Sequence, residues 1–418
     1  MYSQNLLSAP SLSKLLAFSA RLPRLVRLAS PAALIGLAVL APVPVANAAP
    51  YTPANAAQVL ARVPSRALDA RARELQVLRS AALARPNDAA AAVALARRYV
   101  DDAAADGDPR YMGYAQAALA LWWSAPSPPA AVRVQRAVLH QYGHDFDAAL
   151  ADLAEALRAE PDNAEAWSWT AAIQMVRADY PAAARACAGL TPLTSALLGQ
   201  ACRASVESLT GQAEAAAARL ASALAAATDA GPAERLWALT RQAEIAERRG
   251  DVVTAERAFE AGLGTGLDDV YLRAAHADFL LDQGRPRDVL KRLEDGARAD
   301  VLLLRLALAA RAAGDTRAAA WSNELSARFA AARARGDRTH EKEEARFVLA
   351  QGDAAGALVL AQRNYALQRE PADARILLEA ALAARQPQAA KPVLQWLQAN
   401  RIESTVLQAL AARLADMK

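Results

Sequence analysis

Apolar residues along this chain never alternate with polar ones over a run long enough to make a strand. They recur at helical spacing instead. In the C-terminal stretch Ile402, Val406, Leu410 and Leu414 are four apart and mark one face of a helix from Ile402 to Met417. Such segments are punctuated by short turns that begin with Gly or another small or polar residue and often continue with Asp. The turns start at His144, Ala178, Gly211, Gly250, Gly284, Gly314, Gly352 and Ala384, with spacings of 34, 33, 39, 34, 30, 38 and 32 residues. A period near 34 predicts a helix–turn–helix unit repeated along the chain.

A second regularity surrounds each turn. Seven residues before the turn starts stand Ala137, Ala171, Ala204, Ala243, Ala277, Ala307, Ala345 and Leu377. Five residues after them stand Ala149, Ala183, Ala216, Ala255, Val289, Ala319, Ala357 and Ala389. Two antiparallel helices in close contact need a small side chain on each, and these positions supply it. The unit from Ala130 to Asn163 carries Ala137, Asp145-Phe146, Ala149, Leu153, Ala156 and Pro161; the next opens with Ala164-Glu165-Ala166-Trp167 and carries Ala171, Asp179-Tyr180 and Ala183. In these residues the chain resembles the tetratricopeptide repeat family. The resemblance covers residues 66–418 and implies an all-α, right-handed superhelical solenoid of about nine helix pairs with a single flanking helix at each end. The final helix is expected to cap the array with a polar outer face. No segment of domain size is left for a separate catalytic unit.

Composition changes the reading mainly at the N-terminus. Lys14, Arg21, Arg24 and Arg27 form a basic start, the uncharged run from Ala32 to Val45 follows, and Ala46-Asn47-Ala48 makes an A-x-A cleavage signal. Residues 1–48 therefore read as a secretory signal peptide, and the mature chain is expected in the periplasm, with 49–65 as a flexible lead-in. The rival reading keeps the apolar run as an uncleaved anchor. The whole chain carries 48 Lys and Arg against 44 Asp and Glu. The leader takes four of the bases, so the mature chain is neutral and gives no reason to expect nucleic acid as a partner. Cys187 and Cys202 are compatible with one disulfide in an oxidising compartment. They would sit on neighbouring antiparallel helices, but at unequal depths that threaten the ~7 Å limit on Cα separation. The other reading is two small buried thiols.

Candidate chemistry is sparse. Gly262-Leu263-Gly264-Thr265-Gly266 looks like a phosphate loop but follows a predicted helix where a strand is required, so it reads as a connection between repeats. His140 and His144 are four apart, yet His144 falls in a predicted turn, and no metal site is expected. No cofactor is implied, and no acid pair stands out for general acid–base work. The family resemblance implies instead a concave face made by the first helix of each pair. Its groove positions fall on Gln141, Tyr142, Ser168, Met175, Ser205 and Leu209, then on Trp237, Thr240, Glu244 and Arg248. Tyr271, Asp278 and Asp282 continue it, and Arg311, Lys342 and Arg346 end it. The residues expected to bind a partner are Trp237, Thr240, Glu244, Arg248, Tyr271, Asp278 and Asp282. The positions where one subclass of the family places carboxylate-gripping Asn residues hold Gln135, Trp169 and Cys202, which argues against that mode. The expected function is a non-enzymatic adaptor that binds a protein or peptide in its groove. The alternative is a structural subunit of an envelope or polysaccharide-export assembly.

Overall fold

A computed structural model describes residues 70–417. The predicted leader, the 49–65 segment and the start of the predicted opening helix lie outside the described residues. The chain begins there with α1 (Ala70–Ala84), and nine helix pairs follow. They are α2 (Ala89–Asp106) with α3 (Arg110–Ala118) and its short continuation α4 (Ala120–Trp123); α5 (Ala130–Tyr142) with α6 (Phe146–Ala159); and α7 (Ala164–Val176) with α8 (Tyr180–Leu190). Next come α9 (Ala196–Glu207) with α10 (Ala213–Ala226), α11 (Pro232–Arg249) with α12 (Val252–Leu263), and α13 (Val270–Asp282) with α14 (Pro286–Arg292). The last three pairs are α15 (Asp300–Ala313) with α16 (Ala318–Ala334), α17 (Glu341–Ala350) with α18 (Ala354–Leu367), and α19 (Pro371–Ala383) with α20 (Lys391–Asn400). The single helix α21 (Thr405–Ala415) ends the array, and no strand occurs among the described residues.

The turn chemistry explains the period. His144, Ala178, Gly211, Gly250, Gly284, Gly314 and Gly352 all adopt left-handed backbone, with φ between 60° and 94°. Each reverses the chain after a first helix. The residue that follows then starts the second helix. Asp145, Asp179, Asp251 and Asp353 each accept a hydrogen bond from the amide three residues on, the usual N-cap arrangement. The small residues on either side do what their spacing suggests. All eight on the first helices and six of the eight on the second are buried.

The other two depart for local reasons. Ala319 is exposed. Asp315 turns its carboxylate to the amide and guanidinium of Arg317 at 2.9 Å, so α16 begins only at Ala318 and buries Leu325 and Phe329 instead. Ala389 is half-buried because a 3₁₀ turn, Pro387–Ala390, shifts the small position one residue on, to the fully buried Ala390. The final helix also starts later than the Ile402 boundary, because Ser404 caps it by accepting from the Leu407 amide.

From Leu75 onward the chain forms one compact unit, in which the array coils back on itself. Gly107, at φ 65°, lies so close to Ala299 that a Cβ there would fall 2.5 Å from that residue's own Cβ. Gln368 reaches His144 at 3.0 Å, the Arg369 amide donates to the Val176 carbonyl at 2.7 Å, and Trp396 Nε1 donates to the Tyr180 hydroxyl at 3.1 Å. Further on, the Ala213 amide donates to Glu403 and Thr405 Oγ1 to the Arg248 carbonyl. These partners are 157 to 224 residues apart, which is roughly five to seven repeats of the period. Turns of the first coil thus meet junctions of the second. One apolar cluster runs across the seam, joining Tyr180, Leu220 and Trp237 to Leu360, Leu377 and Trp396.

Cys187 on α8 and Cys202 on α9 are joined. Their sulfurs are bonded and their Cα atoms are 5.7 Å apart, inside the range a disulfide spans. The short 3₁₀ turn Thr191–Leu193 between the helices brings the two depths level.

Candidate functional site

Coiling changes what the concave face is. The inward sides of α11, α13, α15, α17 and α19 converge on a cavity of about 160 Å³ along the axis. Its walls carry six bases, Arg241, Arg248, Arg305, Lys342, Arg346 and Arg375. They also carry six acids, Glu244, Glu247, Asp278, Glu343, Glu370 and Glu379. All but Glu370, the N-cap of α19, are held on helices whose opposite sides pack in the core, so their positions are set by the repeats rather than by loops.

Asp278 is the hub. Its two oxygens accept from Arg305 at 2.9 and 2.6 Å, and one accepts also from Arg346 at 2.6 Å. Burial works against its charge, but the two guanidinium groups overcome it and hold its carboxyl well below the ordinary carboxylate range. Glu244 pairs with Arg241 at 3.1 Å and accepts from the Tyr271 hydroxyl, while Arg241 lies 5.5 Å from the centre of the Tyr271 ring. Lys342 faces Asp373 at 3.6 Å and Glu343 at 3.9 Å. At the rim, Arg375 binds Asp282 at 2.7 Å and Glu379 at 2.7 Å.

Two acids stand apart from this pairing. Glu247 and Glu370 form no ion pair among the described residues, and both are pushed up to about 8. For Glu247 the cause is burial, then the nearby charges of Asp282, Asp278 and Glu244. For Glu370 it is burial, then Asp373. Arg248 Nη2 donates to Ser208 Oγ at 2.7 Å, no ion pair joins Arg248 to a carboxylate among the described residues, and burial pulls it below its ordinary value. Among the described residues, Arg241 Nε, Arg248 Nε and Glu370 Oε2 are buried on the cavity wall without a hydrogen-bond partner.

The residues expected to bind a partner are therefore dispersed. Glu244, Arg248 and Asp278 line the cavity. Tyr271 and Asp282 support it through Glu244 and Arg375. Trp237 belongs to the apolar core, and the Thr240 hydroxyl donates to its own helix at the Leu236 carbonyl. Of the flanking groove positions, Met175, Ser205, Leu209, Lys342 and Arg346 reach the cavity, whereas Gln141 and Ser168 are buried elsewhere and Arg311 donates to the Ala350 carbonyl.

Arg241, Glu247, Arg305, Glu343, Glu370 and Arg375 escaped the sequence reading. A signal existed for Arg305, a lone base inside Val301-Leu302-Leu303-Leu304-Arg305-Leu306, where a solvated face would not be apolar on all sides. Another lay in Arg241, Glu244, Glu247 and Arg248, whose three- and four-residue spacings put them on one side of α11.

Elsewhere the candidates fall to structural roles. His140 packs at a tilt against Trp123, ring centres 5.3 Å apart, and faces Asp145, and His144 is held neutral by burial, pushed down to about 3. The glycine-rich run closes α12 and leads to α13 without a strand. Among the described residues no group of three or more His, Cys, Asp or Glu is placed to hold a metal, and no helix is long and apolar enough to cross a membrane.

No protein-family model matches the sequence, and no curated protein matches it either. Solved structures of similar helical arrays exist. The APC/C hetero-tetramer Cut9-Hcn1 matches with a TM-score of 0.38 and 14% identity, over 82% of this chain and 80% of that one. A tetratricopeptide repeat protein from Parabacteroides merdae matches with a TM-score of 0.32 and 14% identity, over 68% of this chain and 98% of that one. The TPR domain of P58(IPK) gives a TM-score of 0.20 at 13% identity, over 83% and 93%. With all three scores below 0.5, the assignment rests on the chain's own period, caps and buried small residues. On those grounds the fold is an all-α solenoid of tetratricopeptide-like helix pairs.

Proposed function

We propose that this chain is a non-enzymatic scaffold of the periplasm that holds a protein or peptide partner at its axial face. The observation that carries this reading is the build of that face. Apolar packing would stabilise the axis at least as well as buried ion pairs, which cost desolvation. Yet the axis is lined by charged side chains, and the pairs at its rim, Asp282–Arg375 and Arg375–Glu379, remain partly exposed. Such groups can exchange one another for the charges of a partner. Location in the periplasm is supported by the basic, apolar and A-x-A pattern of the first 48 residues, and by the Cys187–Cys202 bridge, which persists in an oxidising compartment.

Photo-crosslinking amino acids at Asp282 and Glu379, with Ala154 as a control on the outer face, test the reading in cells. Capture of a defined protein from the rim positions and not from position 154 is the expected result. Capture from position 154 alone would overturn it. N-terminal sequencing of the purified protein is expected to read from Ala49, and an intact Met1 on a cytoplasmic protein would refute export.

A second reading, a subunit of an envelope assembly, is favoured by the apolar side chains left exposed on the first helices: Val77, Leu83, Tyr114 and Leu121. It requires the chain to sediment with membranes and to be released when those four positions are made polar.

A further inference from the structure

We propose that the axial cavity binds a zwitterion on the scale of one amino acid, with its carboxylate on Arg241 and Arg248 and its ammonium group on Glu247 and Glu370.

The four groups line one cavity. Both Arg side chains have an Nε buried without a hydrogen-bond partner, and Arg248 has no carboxylate partner among the described residues. On the acidic side, Glu370 Oε2 is likewise unsatisfied, and Glu247 makes no ion pair among the described residues. Buried polar atoms are nearly always satisfied in native proteins, so unsatisfied donors and an unsatisfied acceptor around one space call for a partner. A lone anion would answer the two donors and leave both carboxyls. A lone cation would answer the carboxyls and leave the guanidinium groups. A molecule carrying both charges answers all four.

Size sets the second limit. A cavity of roughly 150 Å³ accepts a benzene ring, so about 160 Å³ fits a ligand of amino-acid scale rather than an extended peptide. Arg375 and Glu379 line the cavity and are 30% and 28% exposed, which gives it a route to solvent. The raised Glu247 and Glu370 agree with the geometry. An arriving ammonium group would drive off their protons, so affinity should rise from pH 6 to pH 8.5.

The shared chemistry, an ammonium group and a carboxylate, could belong to a free amino acid or to a chain end such as a C-terminal Lys. The inference uses the axial face but does not depend on a protein partner, and the crosslinking experiment is independent of it. Calorimetry on the full mature chain, with glycine, L-glutamate, L-lysine, acetate and ethylamine as titrants, tests it. A tetrapeptide ending in Lys, with free or amidated carboxyl, separates the two sources. At least one zwitterion should bind at least tenfold tighter than acetate or ethylamine. Arg248→Gln should weaken it at least tenfold. Glu247→Gln, which mimics the protonated acid and leaves the fold intact, should weaken it and flatten its pH dependence. Equal binding of acetate or ethylamine, binding unchanged in Glu247→Gln, or no heat from any zwitterion up to 10 mM would each overturn the proposal.

Discussion

Replacing Asp278 by Ala tests whether the axial charges hold successive repeats together. Asp278 on α13 binds Arg305 on α15 through two hydrogen bonds and Arg346 on α17 through a third. Removing it leaves two guanidinium groups facing each other without their anion. Breaking a buried pair from one side costs about 3–5 kcal/mol. Two features place this case at the lower end. Arg346 is 24% exposed and can turn to water, and Arg305 keeps its bond to the Val301 carbonyl. The expected loss is about 3 kcal/mol, a factor of roughly 150 in the unfolding equilibrium. Urea unfolding followed by circular dichroism measures it, with Glu155→Ala as the control. Glu155 pairs with Arg158, which is 69% exposed, and its loss should leave the unfolding midpoint almost unchanged. Acid supplies a second check. Asp278 has a folded-state value below the ordinary 3.8, so its contribution is present above that pH and is lost as pH falls through the folded value. The gap between wild type and variant should therefore begin to narrow below about pH 4 and go on narrowing as pH falls further. Equal shifts for the two variants at neutral pH, or a gap that persists in acid, would refute the argument.

Three further outcomes follow from the same structure. Ala149→Leu and Ala183→Leu should each lose about 1–3 kcal/mol by overpacking fully buried helix contacts, while the exposed Ala154→Leu should change little; equal melting temperatures would contradict the repeat register. Replacing Cys187 and Cys202 together by Ala should cost about 3 kcal/mol, the chain-entropy value for a 15-residue loop, and labelling of the denatured, unreduced protein should find no free thiol. Glu247 and Glu370 are raised from 4.5 to about 8, so the stability they allow is full below 4.5 and is lost as pH rises toward 8. Burial of His144 and His276 acts the other way, removing stability as pH falls below 6.5. Glu247→Gln should therefore gain on wild type between pH 4.5 and 8, as read by melting temperature, and parallel curves would sink the assignment.

Much of the local architecture was legible because it rests on contacts near in sequence. A left-handed residue, an Asp cap and a pair of small side chains define each turn, and all three leave their mark in residue type. Even the non-glycine left-handed positions, His144 and Ala178, were betrayed by the Asp that follows them. Slippage occurred where a cap was replaced by a different local bond, as Asp315 does with Arg317. The long-range seams were another matter. Nothing in the residue type of Tyr180 marks it for Trp396, 216 residues away, because each also looks like an ordinary core aromatic of its own repeat. The candidate site suffered from the same blindness. Groove positions carried over from an open superhelix identified Glu244, Arg248 and Asp278, but not the buried bases and acids from neighbouring repeats, such as Arg305 and Glu370, that close the cavity around them.

The closure of the coil also decides what kind of binding the axis can support. An open solenoid offers a long concave surface to an extended peptide. Here Leu360, Leu377 and Trp396 of the second coil share an apolar cluster with Tyr180, Leu220 and Trp237 of the first. Exposing a core side chain costs about 1.5–3 kcal/mol, so separating the coils along this seam would cost more than a few exposed ion pairs could return. On the proposed reading a partner is met at the rim, where Asp282, Arg375 and Glu379 retain access to water. Only something the size of a single residue passes further, into a space whose unsatisfied groups number donors and acceptors of both charges. The helical array thus sets the positions of the charges, the second coil sets the volume between them, and the selectivity of the site follows from the two together.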